Sequence, residues 1–448
     1  MSSEPTIIAL STPPGLGALA ILRLSGPRSL DIFYQLTKPP ARLIPRIAQN
    51  LYLFDESDIL DNVVATFFKA PVSYTGEDLV EISCHGSPYI INRIVELCNR
   101  RGAVLAQPGE FTRRAFINGK IDLTQAEAVA DLVFAQTQSA HRAAMQLLEG
   151  SIGREIKSLR NEIIDLISIL ELELDFSENE INQLSPQELS EKLTNILKNN
   201  NKLLASYSCG KILKQGALVP IIGPPNSGKS SLLNAFLNEK RAIVTQYPGT
   251  TRDSLEETIR ADGYMLRLLD TAGLRKTKNP IEIIGIKRTL ESIRRADVVL
   301  FVVDVTKPIK REWKDYYKNA IIVINKIDLA TNDNIQKYRK QFAKQTSVLV
   351  SAKKRLGIND ITKQIVKIIA SLTEPNDSLV ITNQRHAQNL RAARGFLLTT
   401  KKHLKYNLSP EIIIADLRQA LDEYDKILGG HSTDEILDNI FKNFCIGK

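Results

Sequence analysis

The sequence predicts a multidomain protein. It has an α/β N-terminal domain, a helical bundle domain, and a P-loop α/β domain with a mostly parallel sheet inserted into that bundle. Three observations carry the prediction. Phosphate-binding motifs occur in a fixed order between residues 216 and 374, where short apolar runs alternate with helical stretches. Long helical stretches lie before and after that segment. The first 118 residues mix strand and helix texture, punctuated by Gly and Pro. The boundaries expected are 1–118, 119–215, 216–374 and 375–448, the second and fourth being two parts of one helical domain. Insertion of the third is tolerated because domain termini often lie close together.

In the first domain, Ala18–Leu24 and Asp78–Cys84 have strand character, and Pro88–Arg100 has apolar residues at helical spacing. From about residue 119 the texture turns helical. Thr124–Leu148 is rich in Ala and Gln, and Arg154–Phe176 places Ile156, Leu159, Ile163, Leu166 and Leu170 on one face. Ser185, Pro186 and Glu188 spell a helix start with a capping box. The apolar runs Ala217–Ile222, Met265–Asp270, Val298–Asp304, Ile321–Ile324 and Val348–Val350 predict strands buried on both faces. Helices are expected again over Ile381–Tyr406 and Pro410–Leu428, and Ser432 with Glu435 caps a last one after Gly429-Gly430.

Bulk properties set limits. A chain of 448 residues fits about three domains. Its 59 Lys and Arg against 50 Asp and Glu give +9, without a basic run of five or six. Any nucleic-acid contact therefore comes from a folded surface rather than a charged tail. The four cysteines, Cys84, Cys98, Cys209 and Cys445, have no C-x-x-C spacing, which argues against disulfide frameworks and structural zinc and fits a reducing cytosol. No signal-like start and no apolar run of 18 residues is found, so a cytoplasmic chain without stable membrane insertion is expected.

The motifs select the chemistry. Gly223-Pro-Pro-Asn-Ser-Gly-Lys-Ser230 fits the P-loop pattern and follows an expected strand. Its glycines let backbone amides surround phosphate, Lys229 reaches the β- and γ-phosphates, and Ser230 offers a hydroxyl to Mg²⁺. Gly249-Thr-Thr-Arg-Asp253 supplies Thr251 as a second Mg²⁺ ligand. Asp270-Thr-Ala-Gly273 places a carboxylate on a Mg²⁺-bound water and the Gly273 amide at the γ-phosphate. In Asn325-Lys-Ile-Asp328, the Asp328 carboxylate accepts the two donors that guanine offers and adenine lacks. Ser351-Ala352-Lys353 follows a strand and can add a backbone contact to the guanine oxygen. The expected GTP site therefore comprises Asn226, Ser227, Gly228, Lys229, Ser230 and Ser231, then Thr245, Gln246, Tyr247, Pro248, Gly249, Thr250 and Thr251. It is completed by Asp270, Thr271, Ala272 and Gly273, then Asn325, Lys326, Asp328, Ser351, Ala352 and Lys353. Leu274 stands where small signalling GTPases carry a water-orienting Gln, so hydrolysis needs another group.

Residues outside these motifs extend the match over the whole chain: Thr12-Pro-Pro-Gly15, Ile21–Gly26, Tyr74-Thr-Gly-Glu-Asp78, His85-Gly86, Pro108-Gly-Glu-Phe111, Lys120–Glu127 and the terminal Phe444-Cys-Ile-Gly-Lys448. On these the chain resembles the MnmE (TrmE) family of tRNA-modifying GTPases. The resemblance implies a folate-binding-like first domain and G domains that pair in a potassium-dependent way. It carries potassium ligands onto Asn226, Thr245, Tyr247 and Thr250, and the water-orienting carboxylate onto Glu282. It makes Cys445 a functional, candidate catalytic thiol; without it, that end reads as a frayed terminus. It carries the binding of 5-formyltetrahydrofolate or a methylene-bearing folate onto Arg23, Glu81, Lys120 and Lys448. It implies a homodimer, an FAD-dependent partner MnmG (GidA), and tRNA as substrate, modified at C5 of the wobble uridine. The alternative is a ribosome-assembly or regulatory GTPase without covalent RNA chemistry. His85 reads equally as a structural or a catalytic histidine.

Overall fold

The computed structural model describes residues 4–39, 42–175, 185–239, 256–270, 291, 293–309, 313, 315–373, 379–430, 434–442, 444 and 446–448. The chain divides into two compact units. One holds Met1–Ala130, Leu147–Arg160 and Asp422–Lys448; the other holds Asp131–Gln146 and Asn161–Leu421.

In the first unit the strands β1 (Ile7–Leu10), β2 (Leu19–Ser25), β3 (Gln49–Asp55), β4 (Asp58–Phe68), β5 (Leu79–His85) and β6 (Val104–Leu105) form one sheet, ordered β3-β4-β5-β2-β1-β6. Strand β6 pairs parallel to β1, and the other pairs are antiparallel. Alternation along β2, β4 and β5 sends Leu22, Leu24, Val63, Ala65, Val80 and Ile82 to a buried face. Helices α1 (Ser29–Tyr34) and α2 (Pro88–Arg100) cover that face through Ile32, Phe33, Ile94 and Leu97. The opposite positions carry Arg23 on β2 and Glu81 on β5, which stand directly across from each other in register. Helices α3 (Glu110–Ile117) and α4 (Leu123–Phe134) follow.

The expected helix over Thr124–Leu148 is two helices, α4 and α5 (Gln138–Leu148). The break has a local cause: the Thr137 hydroxyl accepts from the Ala140 amide at 3.1 Å and starts a new helix. Next come α6 (Ser151–Asp175), α7 (Pro186–Ala205) and α8 (Tyr207–Gln215). The capping box at Ser185 is formed: the Glu188 amide donates to Ser185 Oγ, and the Ser185 amide donates to Glu188 Oε2.

The second unit contains the P-loop sheet, ordered β12-β11-β10-β7-β9-β8, with β7 (Ala217–Ile222), β8 (Glu256–Ala261), β9 (Tyr264–Asp270), β10 (Leu300–Asp304), β11 (Ile321–Asn325) and β12 (Ser347–Val350). It is parallel except at β8, an antiparallel edge strand. The buried runs split between its faces. Val219, Ile221, Leu300, Val302 and Val323 pack with α9 (Lys229–Glu239) and α11 (Ile358–Thr373). Ile222, Phe301, Val303, Ile322 and Ile324 pack with α10 (Asn332–Gln341). Helix α12 (Gln384–Lys405) lies against α7: the Asn200 amide donates to the Leu390 carbonyl at 3.1 Å, and Lys401 donates to Thr194 Oγ1 at 2.8 Å. Helices α13 (Pro410–Leu428) and α14 (Asp434–Phe441) end the chain. Ser432, the expected cap of α14, lies outside the described residues.

Candidate nucleotide site

The loop between β7 and α9 is shaped by contacts that exclude side chains. Gly223 has φ +147, and a Cβ there would lie 2.2 Å from the Val302 carbonyl oxygen of β10. Gly228 has φ +97, and its Cβ would lie 2.2 Å from Asn325 Nδ2. Both positions admit only glycine without rearrangement. Asn226 sits exposed at the loop tip with φ 60. Lys229 is buried and donates to the carbonyls of Gly223 and Pro224, both at 3.2 Å. Its ammonium group is therefore already placed inside the loop.

The motif from β11 grips this loop twice. Asn325, 2% exposed, donates from Nδ2 to the Ser227 carbonyl at 2.9 Å and accepts at Oδ1 from the Ala352 amide at 3.0 Å. Lys326 donates to the Asn226 carbonyl at 2.8 Å and to Asp304 Oδ2 at 2.6 Å. Burial raises the Asp304 pKa, but hydrogen bonds from Lys326 and Thr306 outweigh it and hold the carboxyl below its usual range. Ser351 Oγ donates to Asp328 Oδ1 at 2.6 Å, which lowers the Asp328 pKa and fixes the carboxylate's orientation. In the Ser351-Ala352-Lys353 segment, the Ala352 amide donates to Asn325.

Two features fit phosphate and Mg²⁺. Ser227 Oγ is buried without a hydrogen-bond partner among the described residues, inside a loop built to meet anionic oxygen. Ser230 Oγ donates to Asp270 Oδ2 at 2.7 Å, bringing a hydroxyl and a carboxylate together at the start of α9. That hard-oxygen pair suits Mg²⁺. Ser231 and Lys353 are exposed. Thr245, Gln246, Tyr247, Pro248, Gly249, Thr250, Thr251, Thr271, Ala272, Gly273, Leu274, Glu282 and Cys445 lie outside the described residues.

Sequence reasoning missed Asp304 and the structural use of Lys326. The available signal was a carboxylate closing the apolar run Val298–Val303, a strand-end position beside the P-loop.

In the first unit, Arg23 Nε pairs with Glu81 Oε1 at 2.8 Å, and its guanidinium lies 5.6 Å from the Tyr74 ring centroid. Arg23 Nη1 and Ser11 Oγ both donate to the Gly447 carbonyl, at 3.3 and 3.1 Å. Gly447 approaches β1 so closely that a Cβ would lie 2.2 Å from the Leu10 carbonyl oxygen. Arg23 thus meets both Glu81, another expected folate residue, and Gly447, whose neighbour in sequence, Lys448, is half-buried. A carboxylate, a guanidinium and an aromatic ring in one patch suit a flat heterocycle with a donor pair. Lys120 is not in that cluster; it donates to the Pro71 carbonyl at 3.0 Å, on the segment leading to Tyr74. His85 is exposed, with Nδ1 2.6 Å from Asp61 Oδ1, and its backbone amide donates to Asp61 Oδ2 at 2.9 Å.

Comparison with known proteins agrees along the chain. A model of the MnmE helical domain matches residues 123–445, and one of the GTP-binding protein TrmE N-terminus matches residues 6–120. The tRNA modification GTPase MnmE of Aquifex aeolicus is 40% identical over 452 residues, covering 99% of this chain and 100% of the relative. That of Flavobacterium johnsoniae is 40% identical over 470 residues, covering 100% of both. That of a Thermotoga species is 38% identical over 450 residues, covering 99% and 100%.

Proposed function

The chain belongs to the MnmE family of tRNA modification GTPases, and from that premise we propose that its GTP cycle drives modification at C5 of the wobble uridine in certain tRNAs. The product is an aminomethyl or carboxymethylaminomethyl uridine, made with the FAD-dependent partner MnmG. The observation that carries the nucleotide half is the Asn325 clasp: one buried carboxamide ties the phosphate loop to the Ser351–Lys353 segment. Asp328, oriented by Ser351, then meets the guanine edge.

The residues divide the work. Lys229 turns from the loop carbonyls to the β- and γ-phosphate oxygens, and the loop amides surround them. Ser230 and Thr251 would hold Mg²⁺, with Asp270 on a water bound to it; the ion would neutralise phosphate charge. Asn226, Thr245, Tyr247 and Thr250 would hold K⁺, a second source of positive charge; the exposed amide of Asn226 suits a hard cation. Glu282 orients the attacking water in place of a Gln at position 274. Pairing of two G domains completes that site, and the resulting motion serves the tRNA chemistry. In the first unit, Arg23, Glu81, Lys120 and Lys448 would hold a one-carbon folate, which supplies the carbon unit. Cys445 would act as a thiol in that chemistry. The protein works as a homodimer.

Nucleoside analysis of tRNA from cells lacking this protein tests the proposal. We expect the C5-modified wobble uridines to disappear and to return with the wild-type chain. Normal modification in the deletion strain would reject it in favour of a GTPase switch without RNA chemistry.

A further inference from the structure

We infer that helix α12 is the surface that takes the phosphate backbone of the RNA substrate, an inference that rests on the tRNA reading above. The helix spans 22 residues and carries three arginines and three lysines with no Asp or Glu. The whole chain has a net charge of only +9, so a helix with six cations and no acid is a strongly basic element of it.

The charges are arranged on the outer face. Ala387, Leu390, Ala393 and Leu397 are buried at helical spacing. Arg391, Arg394, Lys402 and Lys405 are exposed. From Arg391 to Lys405 the helix rises about 21 Å, several phosphate spacings of a nucleic-acid strand. An ordinary solvated helix face interleaves acids at three- and four-residue spacing. Here, Arg394, Lys402 and Lys405 have no carboxylate within ion-pair distance among the described residues. Arg391 is held over the Tyr207 ring at 5.6 Å, which pre-orders its guanidinium. Lys198 and Lys202 of the neighbouring α7 are exposed as well.

Gly395 supplies an independent observation. It sits exposed in the middle of the helix, where glycine is the least favourable residue after proline. A Cβ at this position would meet nothing within 4 Å, so the fold itself does not require glycine there. A close-approaching outside backbone would. The missing side chain lies next to Arg394 and about two turns from Lys402 on the same face, where cations would meet a phosphodiester. The stripe has a single exposed apolar residue, Leu398, at 45%, which is a poor centre for a protein interface. Charge without an apolar centre selects RNA over an acidic protein.

The test titrates the full-length protein with an unmodified tRNA transcript, by fluorescence anisotropy at several salt concentrations. For Arg391→Gln/Arg394→Gln/Lys402→Gln/Lys405→Gln, we expect tRNA affinity to fall at least about tenfold. The slope of log K against log [salt] should flatten by about two or more, because each lost phosphate contact removes somewhat under one. GTP hydrolysis and the melting curve should not change. Gly395→Leu should weaken tRNA binding about fivefold or more without lowering the melting temperature, since its Cβ meets open space and Leu is the better helix former. Wild-type affinity and salt slope in both variants would overturn the inference. So would a quadruple variant that binds tRNA normally yet loses wobble modification in cells; the helix would then serve an acidic protein. Normal modification in the deletion strain would instead remove the tRNA reading itself.

Discussion

Gly228→Ala and Asn325→Ala attack one contact from opposite sides, and together they test whether the clasp holds the nucleotide site. The Asn325 carboxamide satisfies the Ser227 carbonyl at 2.9 Å and the Ala352 amide at 3.0 Å, all buried. Removing it leaves the Ala352 amide and the Ser227 carbonyl unpaired in the interior at about 1–2 kcal/mol each, so Asn325→Ala should cost about 2–4 kcal/mol. Gly228→Ala places a methyl 2.2 Å from Asn325 Nδ2 at φ +97. It adds about 1–2 kcal/mol of backbone strain to the same displaced carboxamide. If the cost falls on binding, each variant loses about 30- to 1,000-fold in GDP affinity. The decisive quantity is the double variant. With the carboxamide gone, the new methyl no longer strikes it, so the double loss should fall short of the summed single losses by about 1 kcal/mol or more. Titration of a fluorescent GDP analogue gives the four affinities, and urea melts show whether global stability absorbs part of the cost. Additivity within about 0.5 kcal/mol would mean the two residues act separately and the clasp is not the mechanism.

Three other outcomes follow from the same site. Asp328→Asn should weaken GTP about 10- to 100-fold, the worth of hydrogen bonds to a charged acceptor, and should improve xanthosine triphosphate, which offers a carbonyl where guanine has an amine; competition binding reads both, and GTP affinity within about threefold of wild type would refute it. The Asp328 carboxyl is lowered first by the Ser351 hydrogen bond, so its ionised form is favoured in the folded protein. Its contribution is present above the ordinary value of 3.8 and is lost only as pH falls through the lower folded value. GDP affinity should therefore show no inflection between about pH 7 and pH 5 from this group, and a carboxyl-like midpoint inside that window would contradict the Ser351 contact. Glu282→Ala should keep GTP binding while hydrolysis falls about 100-fold or more, and wild-type hydrolysis should be faster in potassium than in sodium; unchanged turnover, or equal rates in the two salts, would remove those assignments.

The parts legible in sequence are those whose chemistry is local. A glycine required by a 2.2 Å backbone approach appears as Gly223 or Gly228 in a fixed motif. Buried parallel strands appear as apolar runs because both faces of each are covered. The break at Thr137 was hidden because a Thr inside an Ala-rich stretch also reads as ordinary helix until its hydroxyl is seen capping Ala140. The β3–β4 hairpin was hidden because its outer positions are a mixture of polar and apolar residues, Asn50 and Tyr52 on one strand and Asn62 and Val64 on the other. The union of Arg23 with Gly447 has no sequence signature, since the two residues are 424 positions apart and one contributes only a carbonyl. Resemblance to the family pointed to both ends of that contact, while the residues alone read as surface charges.

The base-reading and phosphate-holding motifs form one mechanical element. Adjacent residues of β11 and its turn take adjacent carbonyls of the loop: Asn325 holds Ser227, and Lys326 holds Asn226, across about 100 residues of sequence. Lys326 is anchored in turn by Asp304, the last residue of β10, whose carboxylate also accepts from the Thr306 hydroxyl at 2.6 Å. The loop tip is therefore fixed to two strand ends rather than left to its own glycines. A carboxylate below its usual pKa keeps this anchor charged throughout the neutral range. Base identity and phosphate geometry then reach the protein as one signal, because a displacement of the β11 turn moves the loop carbonyls with it. Asn226 lies at that tip, so the residue assigned to K⁺ is positioned by the same Lys326 contact that accompanies guanine recognition.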